Sequence, residues 1–214
     1  METLQTLERG LFALEKIAQQ HGQITVAQLA EQMNINRTIA YRITRTLAAL
    51  GYIKSNENQY LELTSKVGDL NYYFEKSLPA ASQQILNTLA AKTQSSASLV
   101  MAEGGDCVVV KTASISSDYL QINYQLGSRL PIGKAASGIA IASSYPKHPE
   151  DPEQVQCARE LGYAYSEGIL QRGAIGLFVP LAKRHMAVGI VHLGSLDREE
   201  ALTHIRHAVA CLDN

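Results

Sequence analysis

The stretch TVAQLAEQMNINRTIAYRITRTLAALGYI, residues 25–53, decides the fold of the first part of this 214-residue chain. Apolar residues recur at helical spacing in two segments, residues 26–33 and residues 37–50. The tripeptide Asn34-Ile35-Asn36 separates the two segments and is too short to be anything but a turn. The stretch therefore predicts a helix, a turn and a second, longer helix.

Residue types at the ends of these segments support the same prediction. Thr25 precedes the shorter helix, and Gln28 stands three residues after Thr25, which is the spacing of a capping box. Asn36 is a residue type that caps helices, and Gly51 is a residue type that ends them. Upstream, leucines at helical spacing predict a further amphipathic helix over residues 4–20.

The pattern changes after Gly51 from a helical to an extended period. Residues 52–54 and 60–63 predict two short strands, and the turn-rich residues 55–58 join them as a β-hairpin. Thr64 is expected to cap a linker helix over residues 64–76. Three helices followed by a hairpin predict a winged helix-turn-helix domain over residues 1–63.

The third helix has two chemically different sides. Its inner side is predicted to bury Ile39, Ile43 and Leu47, and its outer side carries three arginines. No aspartate or glutamate occurs over residues 32–56, although the chain contains 20 acidic residues. An arginine side chain can donate two hydrogen bonds to a guanine edge in the major groove, so this side is predicted to contact DNA. The expected DNA-binding residues are Asn36, Arg37, Thr38, Tyr41, Arg42, Arg45 and Lys54.

The remainder of the chain has alternating strand-like and helical segments and forms a second predicted domain over residues 77–214. This half is expected to be α+β, with helices flanking an antiparallel sheet. Helices are predicted over residues 77–92, with Ser77 as N-cap and Pro79 in the first turn, and over 134–143, 152–161 and 198–212. Strands are predicted over residues 98–103, 107–113, 119–124, 174–181 and 187–194.

Several functional classes are disfavoured by the sequence. The chain has no apolar run of the length that a membrane helix needs and no signal-peptide pattern at its start. An odd number of scattered cysteines, three in all, favours a reducing compartment, so a cytoplasmic location is expected. No phosphate-binding or dinucleotide-binding glycine pattern and no nucleophile–base spacing occurs, which predicts neither an enzyme nor a cofactor.

One helix face raises the question of a metal site. His204, His207 and Cys211 share a face of the predicted closing helix. A zinc site would need a fourth ligand and supporting hydrogen bonds, which the sequence does not supply nearby. The interpretation preferred here is a mixed helix face beside an apolar stripe, with no metal.

The residues described above resemble the IclR-type bacterial transcription regulators. TLERGLFALEKIAQQHGQITVAQLAEQMNINRTIAYRITRTLAALGYI, residues 6–53, is similar to the DNA-binding region of that family throughout. The hairpin also matches, although Thr64 stands where the family usually has glycine. Weaker similarity continues through residues 120–143, 160–181 and 187–195. The resemblance implies a GAF-like C-terminal domain that binds a small organic effector and pairs subunits.

The resemblance also implies a set of effector-binding positions, on which this chain departs from the family pattern. Ser166 replaces a common acid, Gly176 a common cysteine, and Val191 a small hydroxyl residue. The segment between residues 143 and 160 is also shorter than in the family, which implies the loss of a covering helix. With Lys134 added at a helix N-terminus that would favour an anion, the implied positions are Ile122, Leu130, Lys134, Ala136, Ser137, Ser166, Gly176, Val191 and Leu193.

Two hypotheses follow for the C-terminal domain. In the first, it senses a small, rather apolar or aromatic organic acid and thereby changes the affinity of the chain for DNA. In the second, it has lost effector binding and serves only oligomerisation or protein docking. Both expect a homodimer or a dimer of dimers, because two recognition helices are needed to read a palindromic operator with half-sites about 34 Å apart.

Overall fold

The computed structural model describes residues 3–115, 124–181 and 185–213. The chain divides into two compact units, Met1–Leu78 and Pro79–Asn214. No helix in the described part of the chain is long and apolar enough to cross a membrane.

The first unit contains four helices and a two-stranded hairpin. The elements are α1 (Gln5–Gln19), α2 (Val26–Gln32), α3 (Arg37–Ala49), β1 (Ile53–Ser55), β2 (Leu61–Leu63) and α4 (Lys66–Glu75). Strands β1 and β2 pair antiparallel, and one apolar cluster joins them to the first three helices. The buried members of that cluster are Ala13, Ile17, Ile24, Leu29, Ile43, Leu47, Ile53 and Leu61. This arrangement confirms the predicted winged helix-turn-helix.

Both predicted helix caps in the turn region are present. The backbone N–H of Thr25 donates to the side-chain Oε1 of Gln28 over 2.9 Å, and the N–H of Gln28 donates back to Thr25 Oγ1 over 3.4 Å. Asn36 Oδ1 accepts from the N–H of Thr38 over 2.8 Å. These bonds satisfy N–H groups that a helix start leaves without partners, and they fix the turn between α2 and α3.

One local expectation in this region was wrong, and another was met only in part. Ile39 was expected in the core but is 37% exposed, and Ala40 and Thr44 fill the inner side of α3 together with Ile43 and Leu47. The N-cap position of α4 is Ser65, which makes no capping bond with its side chain. The Thr64 hydroxyl accepts from the N–H of Lys66 over 3.3 Å, as expected of a cap, and also donates to the carbonyl of Gly51.

The helix expected to begin at Ser77 begins at Ser82. The Ser77 hydroxyl donates to the carbonyl of Phe74 over 2.7 Å, so it closes the end of α4 rather than capping the next helix. Ala81 precedes the helix in the left-handed region at φ 55°, which separates Pro79 from the first helical turn.

The second unit is a six-stranded antiparallel sheet with helices packed against it. Its strands are β3 (Ser96–Glu103), β4 (Asp106–Ala113), β5 (Arg129–Pro131), β6 (Ala164–Glu167), β7 (Ala174–Leu181) and β8 (Met186–Leu193). They are ordered β5-β4-β3-β8-β7-β6 across the sheet. The helices are α5 (Ser82–Thr93), α6 (Ala135–Ser144), α7 (Glu153–Leu161) and α8 (Arg198–Leu212).

The two faces of the sheet have different helical cover. Val100, Phe178 and Val191 form a cluster with the small residues of α6 on one face. Side chains alternate along a strand, so the fully buried Leu177 and Ile190 point to the other face, where α5 and α8 pack together. The predicted α+β class with a flanked antiparallel sheet is confirmed.

Two differences from the expected strand pattern concern short elements. Strands β5 and β6 were not predicted as strands, because each has only three or four residues. The strand expected over residues 119–124 lies, except for Tyr124, outside the described residues.

Candidate nucleic-acid interface and ligand site

The outer side of α3 is open to solvent. Each of the five α3 residues that the sequence assigned to DNA contact is exposed: Arg37, Thr38, Tyr41, Arg42 and Arg45. An α-helix fits the major groove of DNA. The exposed side of α3 can therefore enter the groove while its buried side stays packed in the core.

The charges on this surface are available to a ligand. Among the residues that the structure describes, no ion pair involves Arg37, Arg42 or Arg45. The Arg45 guanidinium lies 5.9 Å from the centre of the Tyr41 ring, one helical turn away. Cation–π contact with that ring favours an Arg45 side chain that lies along the helix, and it neutralises none of the positive charge.

The hairpin carries a positive charge that is already partly compensated. Lys54 on β1 lies directly opposite Glu62 on β2, and Lys54 Nζ lies 3.3 Å from Glu62 Oε2. Asn56 Nδ2 donates to the other carboxylate oxygen over 2.8 Å. Hydrogen bonds from Asn56 and then Lys54 lower the pKa of Glu62. Glu62 was not among the residues expected from the sequence, and it is the strand register that places it opposite Lys54.

Several hydrogen bonds fasten the hairpin to the helices. The N–H of Leu61 donates to the Ile24 carbonyl over 2.8 Å, so β2 is paired on both sides. The N–H of Tyr52 donates to the Leu47 carbonyl over 2.9 Å. Lys66 Nζ donates to the Leu50 carbonyl over 2.7 Å. Helix α3 and the β1–β2 hairpin are thus held in one orientation.

In the second unit, four of the residues implied by the family resemblance lie together. Ser166, Gly176 and Val191 are neighbours across β6, β7 and β8. The first turn of α6 lies directly above them, and the N–H of Ala136 donates to Ser166 Oγ over 3.0 Å. A Cβ added at Gly176 would lie 3.1 Å from the Ala136 Cβ, so glycine allows this close approach.

Other implied positions lie further away or are exposed. Leu193 is 37% exposed near the end of β8, and Lys134 is exposed at the N-cap position of α6 without a capping side-chain bond. Leu130 is half-buried on the short β5, opposite Cys107. Ile122 lies outside the described residues.

The structure adds three residues to this region that the sequence analysis did not select. The Tyr124 hydroxyl lies 3.5 Å from Ser137 Oγ, and its ring centre lies 6.2 Å from that of Phe178. Burial raises the pKa of Tyr124, and burial raises that of Cys107 to about 11. Both groups are therefore neutral near pH 7 and can act as hydrogen-bond donors beside the start of α6.

The helix face with two histidines and a cysteine is part of a shallow groove. His204, His207 and Cys211 on α8 line it together with residues of α5, including Lys92. In the described part of the chain, no three histidine, cysteine, aspartate or glutamate side chains are placed so that they could hold a metal ion together.

The first unit, with its exposed basic helix and attached hairpin, has the architecture of the winged helix-turn-helix domains of transcription regulators. Residues 6–57 match the IclR helix-turn-helix domain. The first unit is therefore an IclR helix-turn-helix domain, and the chain is similar to the IclR-type transcription regulators.

Comparisons with individual proteins agree with this family. The chain is 32% identical over 143 residues to the p-hydroxybenzoate hydroxylase transcriptional activator of Acinetobacter baylyi, covering 64% of this chain and 52% of that protein. It spans about half the length of the curated relatives it matches.

Solved structures share the fold of the whole chain. An IclR transcriptional regulator from Alicyclobacillus acidocaldarius aligns with a TM-score of 0.78 and 20% identity, covering 99% of this chain and 98% of that one. An IclR homolog from Microbacterium hydrocarbonoxydans, complexed with 4-hydroxybenzoate, aligns with a TM-score of 0.80 and 16% identity, covering 97% of both chains.

Proposed function

We propose that this protein binds operator DNA in a sequence-specific manner through α3 and the β1–β2 hairpin, and thereby regulates transcription. The observation that carries the proposal is the outer side of α3, which presents Arg37, Arg42 and Arg45 to solvent while its inner side anchors the helix in the core. Asn36, Thr38 and Tyr41 complete the proposed surface, together with Lys54, whose charge Glu62 compensates in the free protein. In this proposal, Arg42 reads a base edge, and the hydroxyl and amide groups position the backbone phosphates.

Binding of labelled DNA from the region upstream of the protein's own gene, followed by fluorescence anisotropy, tests the proposal. Arg42→Ala is expected to weaken binding by about 1–3 kcal/mol, roughly five- to 150-fold, if Arg42 makes a bidentate base contact. Arg206→Ala is the matched control, since Arg206 is an exposed arginine in the second unit. Absence of sequence-specific binding by the wild type at moderate salt would reject the proposal.

The second unit is proposed to bind an aromatic acid as the effector. The row formed by Ser166, Gly176 and Val191 provides one hydroxyl and otherwise apolar surface, and the nearby Tyr124 and Phe178 suit the face of an aromatic ring. The N-terminal end of α6 favours the carboxylate. One relative is an activator named for p-hydroxybenzoate hydroxylase, and one structural neighbour contains 4-hydroxybenzoate, which supports this class of acid.

Thermal denaturation with benzoate, 4-hydroxybenzoate and an aliphatic acid of similar size tests the effector proposal. A ligand that binds only the folded state raises the melting temperature as its concentration increases. Stabilisation by aromatic acids and not by the aliphatic acid is the expected result. No stabilisation by any of them would favour the alternative, in which this unit serves only oligomerisation or docking.

The proposed assembly is a homodimer, or a dimer of dimers, in the cytoplasm. Helix α1 exposes Leu4, Leu7, Leu11 and Phe12 on its surface, and α4 exposes Leu70, Tyr72, Tyr73 and Phe74. Apolar surface of this extent on two helices suits contact with a second copy. Sedimentation equilibrium with and without operator DNA measures the stoichiometry, and a monomer on DNA would contradict this assembly.

A further inference from the structure

A serine in the centre of the second unit has an unsatisfied hydroxyl. Ser98 on β3 is 1% exposed, and its Oγ has no hydrogen-bond partner among residues 3–115, 124–181 and 185–213. Most buried hydroxyls in folded proteins are paired, because an unpaired one has lost its bonds to water without replacement. A position of this kind in the core of a domain therefore requires an explanation.

The strand register places Ser98 on the sheet face that α6 covers. Ser98 lies opposite Gly189 on β8, and Gly189 lies opposite Phe178 on β7. Directly paired residues in antiparallel strands point to the same face, and Phe178 packs in the cluster with α6. Ser98 therefore points to the same side of the sheet as Phe178.

The same register places Ser98 next to the candidate ligand site. Val191 lies opposite Ser96, which stands two residues before Ser98 on β3. The row that contains Ser166, Gly176 and Val191 thus ends at Ser96, and Ser98 belongs to the adjacent row with Gly189 and Phe178. The Phe178 side chain occupies the space over Gly189, since a Cβ added at Gly189 would overlap Phe178 Cγ, and Gly189 is the direct neighbour of Ser98 across the strands.

We propose that the Ser98 hydroxyl hydrogen-bonds a polar substituent on the ring of the aromatic acid, such as the hydroxyl of 4-hydroxybenzoate. This inference rests on the effector function proposed above and assigns it a specificity-determining residue. The carboxylate of the acid lies at the N-terminal end of α6, the ring lies against Phe178 and Tyr124, and the substituent reaches Ser98. The ligand thus supplies the partner that the hydroxyl lacks among the described residues.

The Ser98→Ala variant tests the proposal with two readouts. Its melting temperature without ligand is expected to rise, because alanine removes an unpaired buried hydroxyl and adds no bulk. Its affinity for 4-hydroxybenzoate, measured by isothermal titration calorimetry, is expected to fall about two- to tenfold. Its affinity for benzoate is expected to stay unchanged, since benzoate offers no ring substituent to Ser98.

The matched control is Ser143→Ala. Ser143 is also a buried serine of this unit, but its hydroxyl donates to the Ala140 carbonyl over 2.8 Å. This variant is expected to melt no higher than the wild type and to keep the preference of the wild type for 4-hydroxybenzoate over benzoate.

The outcomes separate this inference from the proposal on which it rests. If the wild type binds neither acid, the effector proposal fails and the role of Ser98 fails with it. If the wild type prefers 4-hydroxybenzoate and Ser98→Ala keeps that preference, only the inference about Ser98 is overturned. A lower melting temperature for Ser98→Ala without ligand also overturns it, because the hydroxyl then has a partner that stabilises the free protein.

Discussion

Replacing Glu62 by glutamine should strengthen DNA binding. In the hairpin, Glu62 lies 3.3 Å from Lys54 Nζ and also accepts a hydrogen bond from Asn56. Glutamine keeps an oxygen that can accept from Asn56 but removes the charge that holds the lysine. Lys54, whose side chain is 63% exposed, then becomes free to pair with a backbone phosphate.

The size of the effect follows from counterion release. Each additional phosphate that a cationic side chain neutralises steepens the slope of log K against log salt by about 0.9. If the wild type and Glu62→Gln bind DNA equally at about 1 M salt, Glu62→Gln binds about eightfold more tightly than the wild type at about 0.1 M salt and about fourfold more tightly at about 0.2 M.

Fluorescence anisotropy titrations of the same operator fragment over a series of salt concentrations measure this slope. The control is the same substitution in a Lys54→Ala background, where no lysine is released and the slope should not change. If Glu62→Gln leaves the slope of the otherwise wild-type protein unchanged, the claim that Glu62 withholds Lys54 from DNA is refuted.

Two further predictions concern thiol reactivity and helix capping. Iodoacetamide at pH 8 should modify the exposed Cys157 and Cys211 but not Cys107, because at a pKa of about 11 only about one Cys107 thiol in a thousand is ionised. Peptide mass spectrometry locates the label. Rapid labelling of Cys107 in the folded protein would contradict its burial. Thr25→Ala should destabilise the first unit by about 0.5–2 kcal/mol through loss of the capping box, measured by chemical denaturation, and an unchanged free energy of unfolding would show that this cap contributes nothing.

Much of the first unit could be predicted because its signals are local. The capping box at Thr25 and the cap at Asn36 depend on residues two or three positions apart, and the structure has both bonds. Ile39 shows where local periodicity fails. On α3 a small alanine at position 40 packs in the core in its place, and only the tertiary fit of the helix against its neighbours decides which residue faces inward.

The proposed ligand site could be predicted only in part because it is built from residues distant in sequence. The contact between Ala136 and Ser166 joins two elements 30 positions apart, and the family resemblance supplied both names. Ser98 gave no signal in the sequence, because its proposed role rests on a hydroxyl that has no partner among the residues that the structure describes. Such a property depends on every neighbouring atom and cannot be derived from residue spacing.

The hairpin also connects the helices of the first unit to one another. Since β2 is hydrogen-bonded to the segment before α2, and the ends of α3 and α4 are tied by Lys66, a change in the hairpin would strain three helices at once. An effector of the proposed kind would therefore have little scope to reshape the DNA-binding surface of a single copy. In the proposed dimer, it would instead act on the separation and alignment of the two DNA-binding units along the duplex.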